Sequence, residues 1–256
     1  MDKQKVNYQK KLDEVLKEVG QKLEAGGEKP SLLLHACCGP CSSYVLEYLA
    51  EFFQITVLYY NPNIYPEAEY RRRFEELKRL YKEFRPAVEG RVRVVELPYR
   101  AEDFYGAVGT REEPELAKEP EKGERCRRCY ELRLRAAFDY AQENHYDYFC
   151  TTLSISPFKD SEKINAIGAQ LEWEARAKAG LEVEQFSKVA AGAEELSQKV
   201  RKDVPKWLFS DFKKKGGFKR SLELSDEFDM YRQEYCGCVY SYRSRQEYEK
   251  SLKERE

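Results

Sequence analysis

Short apolar runs alternate with amphipathic stretches through most of the chain, and this alternation restricts the fold more than any other feature. Ser31-Leu32-Leu33-Leu34 is followed by 42–53, where Val45, Leu46, Leu49 and Phe52 recur on one helical face. Gln54-Ile55-Thr56-Val57-Leu58-Tyr59-Tyr60 ends at the turn signal Asn61-Pro62-Asn63, and a helical pattern covers 66–84. Further strands are expected at 92–97, 146–152 and 206–209. Helices are expected at 101–108, 126–144 and over most of 160–204, with an acidic loop at 109–124. A helix over 2–24, running out by Gly27, precedes this series, and a charged helical tail over 225–255 closes it. Strands alternating with helices imply βαβ units, hence an α/β fold with a doubly wound, mostly parallel sheet of about five strands. No repeat or long linker divides the 256 residues, which read as one domain.

In such sheets ligands collect beyond the carboxyl ends of the strands. The first strand runs into His35-Ala36-Cys37-Cys38-Gly39-Pro40-Cys41, which holds three of the eight cysteines. Packing does not call for three thiols there, whereas a metal or redox centre does. Cys126 and Cys129 lie three apart at the start of a helix, where both sulfurs share a face, with Arg125, Arg127 and Arg128 beside them to lower the thiol pKa. In Cys236-Gly237-Cys238 the glycine lets the backbone turn both sulfurs to one point. Cys150 lies within a strand and reads as a core thiol, and His35 as a strand-end histidine bonded to backbone.

The start of the chain has no apolar signal segment, and no run nears the roughly 20 apolar residues that span a bilayer. A cytoplasmic protein with reduced thiols and no membrane partner is expected, and its thiols then point to metal or catalysis. Seven clustered thiols exceed the four that hold a structural zinc or one iron–sulfur cluster. A cluster with a second metal or a redox pair would use them all. A structural zinc in a binding module stays open, because spacing does not separate the two metals. An ATP-dependent enzyme of similar fold would need a glycine-rich phosphate loop where this chain has Cys-Cys-Gly-Pro-Cys.

Six segments resemble one known family. They are Leu33 to Cys41, Tyr59-Tyr60-Asn61-Pro62-Asn63-Ile64, Glu124 to Tyr130, Thr151 to Pro157, Ser210-Asp211-Phe212-Lys213-Lys214 and Tyr231 to Cys238. In this order, over about 31–245, they are similar to the epoxyqueuosine reductase QueH family. The resemblance implies an adenine-nucleotide-hydrolase-like α/β protein that reduces epoxyqueuosine to queuosine in the anticodon stem-loop of tRNA. It further implies a 4Fe-4S cluster, a mononuclear iron beside it, and an electron donor whose identity it leaves open. Phe158 stands near a place where the family commonly has a polar residue, and 172–204 looks like a helical insertion.

On that footing Cys37, Cys38, Cys126 and Cys129 are expected to hold the cluster, and Cys41, with Cys236 and Cys238, the second iron or a redox step. Deoxygenation also needs protons, for which Tyr60 and Asp211 are candidates, with Asn63, Ser154 and Ser156 on the same sheet edge. The net charge of −1 argues against a surface that grips RNA everywhere. A local basic run, Lys206, Lys213, Lys214, Lys215, Lys219 and Arg220, is expected to contact tRNA, with Phe212 and Phe218 stacking on an unpaired base. Arg71, Arg72 and Arg73 are balanced by Glu75, Glu76 and Glu83 and are read as a solvated face.

Overall fold

A computed structural model describes residues 6–187 and 204–254. The strands are β1 (Ser31–His35), β2 (Gln54–Tyr59), β3 (Arg93–Glu96), β4 (Tyr148–Thr151) and β5 (Lys206–Trp207). The helices are α1 (Tyr8–Glu24), α2 (Gly39–Leu49), α3 (Glu67–Glu83), α4 (Arg85–Glu89), α5 (Ala101–Val108), α6 (Glu124–Glu143), α7 (Ser161–Ser187), α8 (Gly217–Glu227) and α9 (Val239–Lys253). All strand pairs are parallel, in the order β3-β2-β1-β4-β5. This is the expected α/β sheet.

Alternation along the strands sorts the core into two layers. Leu32 and Leu34 face one side with Ile55 and Val57, covered by Leu12 and Leu16 of α1, Leu46 of α2 and Leu77 of α3. Leu33 and Phe149 face the other side, covered by Leu134 and Phe138 of α6 and Ile164 of α7. The chain leaves β1 for β2 on one side and later returns to β4 on the other, so β1 and β4 flank the point where the winding reverses. The loops beyond these two strand ends therefore diverge and leave a crevice between them.

Two expectations need correction. The tail is not one helix: α8 ends at Glu227, residues 228–238 are irregular, and α9 starts only after Cys238. The loop at 109–124 contains a short 3-10 turn, Pro114–Lys118. Of the expected insertion 172–204, the first part is the continuation of α7, and 188–203 lies outside the described residues. Among the described residues no helix is long and apolar enough to cross a membrane.

Candidate metal centre

Beyond β1, the N–H of Ala36 bonds to the Leu58 carbonyl at 3.0 Å, and the chain then leaves the sheet through Cys37 and Cys38 to enter α2 at Gly39-Pro40. The sulfurs of Cys37, Cys38 and Cys41 all lie within 4.8 Å of one another, and those of Cys37 and Cys38 are 3.8 Å apart. Hydrogen bonds from the Cys38 and Cys41 thiols, helped by the positive charge of Arg133, hold Cys37 well below the ordinary thiol range. The same negative sulfur pushes Cys38 up to about 12 and raises Cys41. The proton is thus held least firmly at Cys37, and a metal entering the trio would displace whatever protons its sulfurs carry.

Cys126 and Cys129 start α6 as expected, the first half-buried and the second buried. They do not join the trio within 4.8 Å. Burial raises both thiols, and the charge of Cys236 adds to it. Of the arginines around them only Arg125 acts to lower Cys126, and burial outweighs it, because each guanidinium is engaged elsewhere. Arg125 donates to the carbonyls of Leu116, Ala117 and Glu119, Arg127 to Glu124 and Glu131, and Arg128 to Glu113 and Glu124.

Residues 228–238 form the wall opposite. Gly237 has φ +127°, and a Cβ there would meet Arg73 Nη1 at 3.1 Å and Ile64 at 3.2 Å, so the glycine is required by both conformation and space. Arg73 reaches the Tyr235 and Cys236 carbonyls at 3.4 Å, and the Tyr65 N–H bonds to the Gly237 carbonyl at 2.8 Å. Gln233 Nε2 donates to Cys38 Sγ at 3.2 Å, and the buried Lys159 ammonium donates to Cys236 Sγ. The Cys238 thiol and Lys159 together hold Cys236 well below the ordinary thiol range and leave Cys238 raised. Cys238 also packs with Cys129, Phe104 and Val108. Seven thiols from three distant segments thus converge on one region.

Three buried cations lie there: Arg73, and two that the sequence did not single out, Lys159 and Arg133, the last donating to the Cys129 carbonyl at 3.3 Å and to Asn61 Oδ1 at 3.4 Å. A metal held by several thiolates would carry net negative charge, and these buried cations are placed to offset it. Among the described residues the buried Tyr130 hydroxyl and Gln233 Oε1 find no partner, which leaves polar atoms free beside the sulfurs. The donor set therefore fits a thiolate-held metal group.

A cleft of about 420 Å³ opens over the site, lined by Cys37, Cys41, Cys236 and Lys159 and by the rings of Phe158, Phe218, Tyr240 and Tyr248. Phe158 is 64% exposed, an apolar ring at the rim. Of the expected proton donors only Ser156 lines this cleft. Tyr60 donates instead to Asp103 at 3.0 Å, and Asp211 lies 2.7 Å from the Lys213 ammonium. Ser154 pairs with Ser210 at 2.9 Å, and Asn63 is buried beside Gly237.

The basic run is largely neutralised by the fold. Lys213 pairs with Asp211, Lys215 with Asp13 and Arg220 with Glu47, each at 2.7 Å, and Lys219 with Glu223 at 3.9 Å. Lys206 lies over the Tyr148 ring, and Lys214 stays exposed. Phe212 is 1% exposed and has no face to offer a base, whereas Phe218 reaches the cleft. Arg73 belongs to no solvated face, since its Nε meets Glu69 at 2.7 Å in the interior.

His35 Nε2 lies 3.1 Å from the Tyr60 carbonyl and Nδ1 2.8 Å from the Thr151 hydroxyl. A carbonyl only accepts, so Nε2 carries the proton and Nδ1 accepts from Thr151. Burial, with Arg133 nearby, pushes its pKa down to about 4 and keeps the ring neutral. Cys150 is a core thiol donating to the Leu208 carbonyl at 3.3 Å.

The family model described as "Epoxyqueuosine reductase QueH" matches residues 32–201 and 181–244. A Streptococcus pyogenes serotype M1 protein named epoxyqueuosine reductase QueH is 38% identical over 238 residues, covering 93% of this chain and 79% of that one. Proteins of the same name from Staphylococcus epidermidis and Thermotoga maritima are 34% identical over 241 residues and 29% over 222. They cover 94% and 85% of this chain, and 87% and 93% of their own.

Proposed function

The chain belongs to the epoxyqueuosine reductase QueH family, and from that premise we propose that it removes the epoxide oxygen of epoxyqueuosine in tRNA to give queuosine. The observation that carries the chemistry is the set of three sulfurs within 4.8 Å of one another, two of which, Cys37 and Cys41, line a cleft. The reaction takes two electrons from an external donor and two protons, forms a carbon–carbon double bond and releases water. When bound, a 4Fe-4S cluster would supply electrons one at a time and an adjacent iron would act as a Lewis acid toward oxygen. Cys37, Cys38 and Cys41 are the most compact donor set for such groups, with Cys126, Cys129, Cys236 and Cys238 supplying the remaining thiolates.

The protein's own residues do the rest. Arg73, Arg133 and Lys159 compensate negative charge on sulfur inside a buried region where it would otherwise be costly. Lys159 Nζ also gives the cleft a positive wall beside Cys236, where charge on a leaving oxygen is stabilised. Phe158, Phe218, Tyr240 and Tyr248 offer ring faces to an anticodon base turned out of its stack. A reduced cytoplasm, where both tRNA and free thiols are found, is the setting that this chemistry needs.

Purification without oxygen, with iron, sulfide and zinc counted, tests the reading. Iron with acid-labile sulfide is expected, most of it lost in Cys37→Ala, together with conversion of epoxyqueuosine-containing tRNA to queuosine by the reduced protein. A colourless protein holding one zinc and no sulfide, or an iron-loaded protein that converts nothing, overturns it.

A further inference from the structure

The loop at 119–123 enters α6 and carries one acid whose side chain the fold leaves unused. The Arg125 guanidinium takes the carbonyls of Leu116, Ala117 and Glu119 at 2.6–3.0 Å, and the Lys163 ammonium caps the Lys122 carbonyl. Lys122 has φ +71°, uncommon for a residue with a side chain, and a Cβ on Gly123 would meet Glu119 Oε2 at 2.6 Å. The turn is therefore held in one shape, and it places Glu121 on the cleft wall with Cys37, Cys41, Cys236 and Lys159.

Three acids line this cleft. Glu119 accepts the Arg125 N–H at 2.9 Å, and Glu234 pairs with Arg245 at 3.0 Å. Among the described residues Glu121 makes no hydrogen bond or ion pair. The cations closest to it electrostatically are Lys159, which Cys236 engages, Arg125, which the carbonyls engage, and Lys122. The exposed Glu121 carboxylate, on the cleft wall near Cys236 and without a cation of its own, is placed to receive one from outside.

The substrate brings a cation. Its deazaguanine joins the epoxide-bearing ring through an aminomethyl link, and that secondary amine is protonated at neutral pH. With the epoxide turned toward the thiols and the base against the aromatic rim, the ammonium lies between them. Building on the reductase reading above, we propose that Glu121 is a substrate-binding residue that pairs with the ammonium group of the modified base and so selects amine-bearing wobble bases over guanine. Charge-assisted hydrogen bonds of this kind are short and directional, and they fix a ligand as well as hold it.

Binding separates this from the reduction. The iron-loaded protein is titrated with two anticodon stem-loops, one carrying 7-aminomethyl-7-deazaguanine at the wobble position and one carrying guanine. Wild type is expected to prefer the amine by roughly tenfold. Glu121→Gln should lose that preference, with guanine stem-loop affinity, iron and sulfide unchanged. An absent preference in wild type overturns the proposal, and so does a preference that survives in Glu121→Gln. Equal weakening of both stem-loops, or loss of iron in the variant, also overturns it by pointing to a structural or metal-binding role. Failure of the wild-type protein to reduce epoxyqueuosine would instead count against the reductase reading and leave the binding preference standing.

Discussion

The ammonium of Lys159 donates to the sulfur of Cys236, joining residues 77 positions apart in the buried wall between the β4 loop and the C-terminal loop. Each group would be an unpaired buried charge without the other, so this contact fixes how the two loops meet.

Lys159→Met keeps the length of the side chain and removes the charge. Outer partners of metal ligands typically contribute about 10- to 100-fold in metal affinity. Iron retained against a chelator should fall by that order in Lys159→Met and much less in Lys159→Arg. Equal retention in wild type and Lys159→Met would count against a role for the charge.

Arg73 and Glu69 form a buried pair, 1% and 9% exposed, and Tyr231 also donates to Glu69 at 3.0 Å. Removing one partner of such a pair costs about 3–5 kcal/mol. Arg73→Leu should lose that much in urea denaturation, and should also free the segment around Tyr235 and Cys236, seen as faster amide exchange there. A change under 1 kcal/mol would mean that water reaches Glu69 freely.

Gly168 of α7 lies against Trp207 so closely that an added Cβ would meet the indole at 2.2 Å. The ring is fixed by its N–H bond to Asn165 Oδ1 at 3.0 Å, so it has little room to retreat. Gly168→Ala should destabilise by about 1–3 kcal/mol, as overpacking does, although alanine is the better helix former. A more stable variant in thermal unfolding would show that the contact is soft.

Glu76 gives a pH dependence away from the thiols. Burial works to raise its pKa, but hydrogen bonds from Arg79 and from the Tyr231 N–H outweigh it and hold the carboxyl below the ordinary range. A folded pKa below the unfolded one contributes stability that is present above the unfolded value of about 4.5 and is lost as pH falls through the folded one. Urea midpoints taken from pH 6 down to pH 3 should therefore fall more steeply in wild type than in Glu76→Gln. Parallel curves would remove Glu76 as the anchor of residues 228–231.

What the sequence showed and hid follows the range of the interactions. Strands β1 to β4 and the thiol motifs were legible because apolar periodicity and CCxxC, CxxC and CxC spacings are local signals. The break at 228–238 was not, since its irregular backbone is held by Arg73 and Glu76, some 150 residues earlier. How far the fold neutralises the basic run was hidden for the same reason: Asp13 and Glu47, the acids that pair with Lys215 and Arg220, lie on α1 and α2. Lys159 and Arg133 passed without remark because their partners, Cys236 and Asn61, belong to other segments.

The bond from Gln233 to Cys38 spans 195 residues. During synthesis, the strands and the first three thiols leave the ribosome long before the loop that closes over them. A nascent chain can thus begin to pair its sheet while Cys37, Cys38 and Cys41 still face open water, and Gln233 arrives 195 residues after Cys38, with Cys236 and Cys238 just behind it. A metal that needs both segments can accordingly be enclosed only once the later one is made, and in the interval the early thiols are the chain's exposure to oxygen.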